Sequence, residues 1–332
     1  MGPQRGAADP AAGASWGVAV HLTHPQVPCW SFGPAQAQRL AEALPALQCR
    51  ICPDRESFRA ALQHARIALV WSFSQDEFAL APDLCLVATP AAGRDYFRVT
   101  PPPGVQVLYG RFHGEIMAET ALGLLLGMSR GLLPAVTTYA DRPWPRAELA
   151  RQMRPLRGSH LVILGFGRIG QWIGRLAKPF GVRLTGIRRR VVPGEVPGYF
   201  AATDRVLPVR DLEAVLPQAD HLLLVLPDEP ATNDLLDGRR LALLPAHATL
   251  TNLGRGNAVN EAALVAALRG HRLAAACLDV CRTEPLGADS PLRDCPNLWL
   301  FPHAAAISPT YMDLFVDDFA AQFRAWQQNA ES

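Results

Sequence analysis

The chain has no run of about 18 apolar residues free of charge, so the sequence offers no transmembrane helix and no membrane partner. Charge imbalance is almost absent: 32 Lys and Arg against 30 Asp and Glu leave +2. That argues against a nucleic-acid or anionic-membrane surface. The N-terminus, MGPQRGAADPAAGASW, lacks the apolar segment of an export signal and reads as a flexible leader. Cysteine is scarce and odd in number, seven in 332 residues. This excludes a disulfide-stapled scaffold and fits reduced thiols in a cytoplasmic protein. Cys49 and Cys52 form one C-x-x-C without a second pair at zinc-finger spacing. They read as thiols on a buried helix or strand edge, and no metal is expected.

What is present is ample apolar material, 49% against 19% charged, enough for two packed domains at this length. Apolar spacing predicts strands over 17–22, 67–71 and 84–88, with helices over 35–47 and 56–65. A long apolar helix over 116–133, interrupted by Glu119 and Arg130, suits packing between domains or subunits. A Pro- and Arg-rich connector covers 141–157. Alternation then restarts, with strands over 161–164, 183–187, 222–226, 248–253, 273–278 and 298–301. Helices fall over 169–180, 212–216, 261–268 and 309–327. Such alternation predicts α/β architecture with parallel sheets covered by helices.

LVILGFGRIG places Gly165, Gly167 and Gly170 as G-x-G-x-x-G between an apolar strand and a helix start. Gly165 permits the tight turn, Gly167 lets backbone approach a pyrophosphate, and Gly170 allows close strand–helix packing. The helix N-terminus adds about half a positive charge toward the phosphates. In versions that bind NAD, an acidic residue about 20 positions on meets the adenosine ribose. Here the next strand ends GIRRR, with Arg188, Arg189 and Arg190 and no local carboxylate. Guanidinium groups clamp a 2'-phosphate bidentately, so NADP is favoured, with NAD possible.

Three later strand ends each carry a residue suited to 2-oxo-acid chemistry. Arg255 stands between two glycines in NLGRGN, where open backbone would let its guanidinium grip a carboxylate. Glu284 follows Asp279 in LDVCRTEPL, and His303 follows Pro302 in LFPHAAAIS. A histidine beside a carboxylate is held in its charged form, ready to donate to an oxygen that gains charge. Arg255 would stabilise the same oxygen.

The blocks AETALGLLLGMSR, LVILGFGRIG, ADHLLLVLP, TLTNLGRGNAVNEAALVAAL, AACLDVCRTEPL and SPLRDCPNLWLFPH stand in this order. Together they resemble the D-isomer-specific 2-hydroxyacid dehydrogenase family, from about residue 81 onward and most closely over 161–303. The resemblance implies two Rossmann-like doubly wound parallel-sheet domains, with the C-terminal helix returning to the first. The substrate domain would be 1–130 plus 304–332, the dinucleotide-binding domain 131–303, and the assembly a homodimer built partly on the 116–133 helix. It also implies that Arg255, Glu284 and His303 are catalytic and that Ala92 and Gly93 receive the substrate carboxylate through backbone amides. Leu226, Pro227, Thr232, Asn252, Leu253 and Asp279 would join Arg168, Ile169 and the glycines around the cofactor. The activity expected is an NADPH-dependent reductase of glyoxylate or hydroxypyruvate type. Alternatives are an NAD-dependent dehydrogenase of a phosphorylated or phosphonate-bearing hydroxy acid, or a nicotinamide-sensing protein without turnover. His113 stands where formate dehydrogenases carry Asn, so formate oxidation is not expected. The absence of a further C-terminal domain disfavours the serine-regulated phosphoglycerate enzymes. Trp71, Ser72, Arg94 and His113 are candidates for the pocket that meets the substrate side chain.

Overall fold

A computed structural model of the chain describes residues 15–192, 194 and 196–331; the expected leader lies, but for its last two positions, outside the described residues. The chain divides into two compact units, residues up to 113 with 307 onward, and 114–306. The first holds a parallel sheet of β1 (Trp16–His21), β2 (Leu47–Ile51), β3 (Ile67–Val70), β4 (Leu86–Thr89) and β5 (Gln106–Tyr109) in the order β2-β1-β3-β4-β5. The second holds β6 (His160–Leu164), β7 (Arg183–Arg188), β8 (Arg205–Pro208), β9 (His221–Leu224), β10 (Thr249–Asn252), β11 (Ala275–Leu278) and β12 (Leu298–Leu300). Its order is β12-β11-β10-β9-β6-β7-β8, again all parallel.

Central strands are continuous apolar runs because both of their faces are covered. Ile67–Val70, Leu86–Thr89, His160–Leu164 and His221–Leu224 are buried at every position. Three edge strands escape sequence reading. β2 is mostly exposed, β5 has one buried residue, and β8 has none. Leu47, expected to end a helix, instead opens β2, after a helix Pro34–Ala43. In each sheet the order reverses beside its first strand: β2 and β3 flank β1, and β7 and β9 flank β6. Ligands of doubly wound sheets bind at the carboxyl ends of strands beside that reversal.

The long apolar segment forms the helix His113–Ser129. The second unit begins at 114, not at the expected 131, because this helix buries Met117, Ala118, Ala121 and Leu125 with Leu161, Ile163 and Ile173. The last helix, Tyr311–Glu331, returns to the first unit. Gln36 Nε2 donates to Asp313 Oδ1 at 2.9 Å, and Arg39 makes a two-pronged pair with Asp317 at 2.8 and 2.7 Å. Exposed pairs of this kind contribute only ~0–1 kcal/mol. The greater hold comes from Phe315, Phe319 and Phe323, each 2% exposed or less, with Trp16 edge-on to Phe323 at 5.8 Å.

At the amino ends of β6 and β9, His160 and His221 are buried. His160 Nδ1 donates to the Gln218 carbonyl at 2.9 Å, and His221 Nδ1 lies 2.8 Å from Thr249 Oγ1. Burial pushes the His221 imidazole down to about 4. An unfolded chain would take that proton near pH ~6.5. Between these values the unfolded state binds more protons, so stability is full above pH ~6.5 and falls as pH drops toward 4. The loss expected from this group is about 3 kcal/mol by pH 4. Urea unfolding at pH 7 and pH 4 should show a smaller acid loss in His221→Gln than in the parent chain. An equal loss would remove His221 from the account.

Candidate active site

Because the seven strands of the second sheet run parallel, the segments after β6, β9, β10, β11 and β12 emerge on one edge. After β6, Gly165 takes φ +101°, and a Cβ there would stand 2.4 Å from the Val225 carbonyl oxygen. A Cβ on Gly170 would meet the Gly165 carbonyl oxygen at 2.5 Å, whereas one on Gly167 would meet nothing within 4 Å. The loop is therefore closed on its inner side and open at Gly167, at the start of the helix Arg168–Ala177. Arg168 is exposed and Ile169 half-buried. Open backbone amides at a helix N-terminus suit a pyrophosphate. Sequence reading missed Phe166: its ring fills the space above Gly186, where a Cβ would lie 2.2 Å away. That packing fixes the loop from beneath, and the signal was a single apolar residue between two glycines.

The arginine turn follows β7. Arg188 ends the strand half-buried, and Arg189 is exposed. The expectation that no carboxylate stands nearby is corrected here, since Glu229, forty positions on, lies 3.0 Å from Arg189 Nη1. Thr232 belongs to the same loop as Glu229. Its hydroxyl donates toward the carbonyls of Pro227 and Glu229, both at 2.8 Å, and shapes the turn after β9. Pro227 is exposed, while Leu226 and Leu253 are buried in apolar clusters.

The Arg255 loop is built by Asn252, which is 1% exposed. Its side chain donates to the Arg255 carbonyl at 3.0 Å and accepts from Gly254 N–H at 3.0 Å. The flanking glycines do not keep the backbone open. A Cβ on Gly254 would sit 2.4 Å from Leu226 N, and one on Gly256 2.0 Å from the Cys281 carbonyl carbon. They are glycines because two neighbouring loops press their backbones against this one.

Glu284 and His303 are brought together from β11 and β12. His303 Nδ1 donates to Glu284 Oε2 at 2.7 Å, and Cys281 N–H donates to Glu284 Oε1 at 3.0 Å. Burial pushes the Glu284 carboxyl up. The His303 bond, the Cys281 N–H and the charges of His303 and Arg255 outweigh burial and hold it below the usual carboxylate range. Arg255 is thus close enough to act on Glu284.

Asp279, expected beside the cofactor, is engaged with the backbone around His303. It is 4% exposed, and its Oδ1 accepts from Ala304 N–H at 2.7 Å and Ala305 N–H at 3.2 Å. Its own carbonyl accepts the His303 N–H at 2.7 Å. Burial holds its carboxyl above the ordinary range despite those donors. These bonds clamp His303 at φ +52°, a left-handed conformation that costs a non-glycine residue ~1–3 kcal/mol. Ala92 and Gly93 lie in the first unit after β4, where Thr89 Oγ1 accepts the Ala91 N–H at 3.2 Å. All seven cysteines are unpaired thiols, and burial pushes Cys49 up to about 11. No group of three metal-ligating side chains occurs among the described residues. No helix among them is long and apolar enough to cross a membrane.

Residues 122–305 match the family model described as D-isomer specific 2-hydroxyacid dehydrogenase, NAD binding domain. The D-3-phosphoglycerate dehydrogenase of Mycobacterium tuberculosis is 31% identical over 280 residues, 82% of this chain and 51% of its own length. The chain thus spans about half the length of such phosphoglycerate dehydrogenases. The glyoxylate reductase of Aeropyrum pernix is 34% identical over 251 residues, 70% of each chain. Among solved structures, an NADPH-dependent glyoxylate/hydroxypyruvate reductase from Sinorhizobium meliloti, in complex with NADP and malonate, superposes with TM-score 0.67. It is 26% identical, and the match covers 94% of each chain.

Proposed function

The chain belongs to the D-isomer specific 2-hydroxyacid dehydrogenase family, and from that premise we propose that it reduces 2-oxo acids to D-2-hydroxy acids with NADPH. The observation that carries this reading is the Glu284–His303 pair at 2.7 Å, within reach of the Arg255 charge. The open Gly167 loop and the strand ends would hold a nicotinamide cofactor, which would supply the hydride. Arg255 grips the substrate carboxylate and polarises the 2-oxo group. Glu284 fixes Nδ1 of His303, which leaves Nε2 to give a proton to the oxygen as it gains charge. In the reverse direction the same nitrogen takes that proton. Asp279 contributes by holding the His303 turn in place. A purified preparation should consume NADPH when given glyoxylate or hydroxypyruvate and run in sedimentation as a homodimer. No consumption with any 2-oxo acid would favour a nicotinamide-sensing role.

The preference for NADP rests on Arg188 and Arg189. Pairing of Arg189 with Glu229 does not oppose it, because that side chain is 77% exposed and such pairs contribute only ~0–1 kcal/mol. A phosphate with close to two charges displaces the carboxylate readily. Changing both arginines to glutamine is expected to raise KM for NADPH at least tenfold while KM for NADH moves little. Equal changes for both cofactors would reduce the turn to surface charge. One observation favours NAD as the cofactor instead: Glu229 is a carboxylate able to receive a ribose hydroxyl once Arg189 turns away.

A further inference from the structure

At the carboxyl ends of β1 and β3 in the first unit, beside the reversal of strand order, six rings gather: His24, Trp30, Trp71, Phe112, His113 and Tyr311. Trp30 lies 5.0 Å from His24, 6.1 Å from Trp71 and 6.0 Å from Tyr311, centre to centre. Trp71 stacks on Tyr311 at 6.1 Å and 29°. Phe112 meets Tyr311 edge-on at 4.9 Å. Tyr311 is buried beneath, while Trp30 and Trp71 are half-buried and present the outer surface. The wall is braced: Trp71 Nε1 donates to the Trp30 carbonyl at 3.1 Å, and His113 Nε2 lies 3.0 Å from Tyr311 Oη.

This wall stands next to the loop that carries Ala92 and Gly93. Gly110 N–H donates to the Ala91 carbonyl at 2.9 Å, and a Cβ on Gly110 would lie 3.0 Å from His113 Cε1. Among the described residues no arginine lies over Trp30 or Trp71. The indole N–H of Trp30 is buried and meets no acceptor among the described residues, a cost that a ligand oxygen would relieve. Ring faces of this kind are matched by another ring or a bulky apolar group.

We propose that Trp30 and Trp71, backed by Tyr311, select 2-oxo acids whose side chain is aromatic or bulky and apolar, in preference to glyoxylate or hydroxypyruvate. This substrate class rests on the hydride-transfer reading above, with the acid's side chain on the wall.

The test uses the full chain with NADPH. 3-Phenyl-2-oxopropanoate is expected to show kcat/KM at least tenfold above glyoxylate and hydroxypyruvate. In Trp71→Ala that ratio should fall at least tenfold, mostly through KM, and Trp71→Phe should restore much of it. A ratio near one in the parent chain, or a ratio unmoved in Trp71→Ala, overturns the proposal. Tryptophan fluorescence reads the wall without turnover. Quenching by D-3-phenyl-2-hydroxypropanoate at concentrations at least tenfold lower than by D-glycerate supports it, and equal quenching overturns it. If no 2-oxo acid is reduced at all, the hydride-transfer reading fails, and the fluorescence comparison still decides the wall.

Discussion

Replacing His303 by alanine is expected to lower kcat for 2-oxo-acid reduction by ~10²–10⁴-fold, the range a single general acid supplies. NADPH affinity should stay nearly unchanged. The geometry singles out this residue because one of its ring nitrogens is already committed, with Nδ1 on Glu284 Oε2 at 2.7 Å. The carboxylate partner is itself held ionised by Cys281 N–H and by Arg255. Alanine changes two things at once, however, because position 303 sits at φ +52°. His303→Asn separates them, since asparagine tolerates that conformation and carries no titratable nitrogen. Both variants should lose turnover, measured by NADPH absorbance, and keep NADPH binding, measured by fluorescence titration. An asparagine variant with parental kcat would show that the turn, and not the imidazole, is what the site needs.

The central strands were legible because burial on both faces writes them as apolar runs. Edge strands were not: β8 (RVLP) has no buried residue, so its pairing with β7 left no hydrophobic trace. The residues of the candidate site were legible as residue types at successive strand ends, since parallel topology sends those ends to one edge. The Glu229–Arg189 pair was hidden by forty residues of separation, which only folding closes. The hold of Asp279 on the Ala304 and Ala305 amides was not legible, because a sequence does not reveal which donors a buried carboxylate meets. The aromatic wall was seen only as Trp71 and His113. Trp30 and Tyr311 come from segments 41 residues upstream and 240 downstream of Trp71, and no spacing rule joins them.

Gly256→Ala is expected to cost about 1–3 kcal/mol of stability, the scale of overpacking in a closed site. It should also cut kcat/KM by ~10²-fold, the penalty of displacing catalytic groups by about 1 Å. The new Cβ would lie 2.0 Å from the Cys281 carbonyl carbon, 2.1 Å from its oxygen and 2.3 Å from Arg282 N. Backbone has no flexible end to swing aside, so the Arg255 loop and the 281–284 loop must separate. Cys281 N–H is a donor to Glu284, and Glu284 holds His303, so the displacement reaches both partners of the pair. Gly238→Ala serves as the control. Its Cβ would meet only Ala263 Cβ at 3.6 Å, an ordinary contact, and it stands in the helix Gly238–Leu241, where alanine is favoured. The control should melt at or above the parental temperature with parental kcat/KM. Parental kcat/KM in Gly256→Ala would mean that the two loops are not rigidly coupled, and that the glycines around Arg255 serve packing without serving the chemistry.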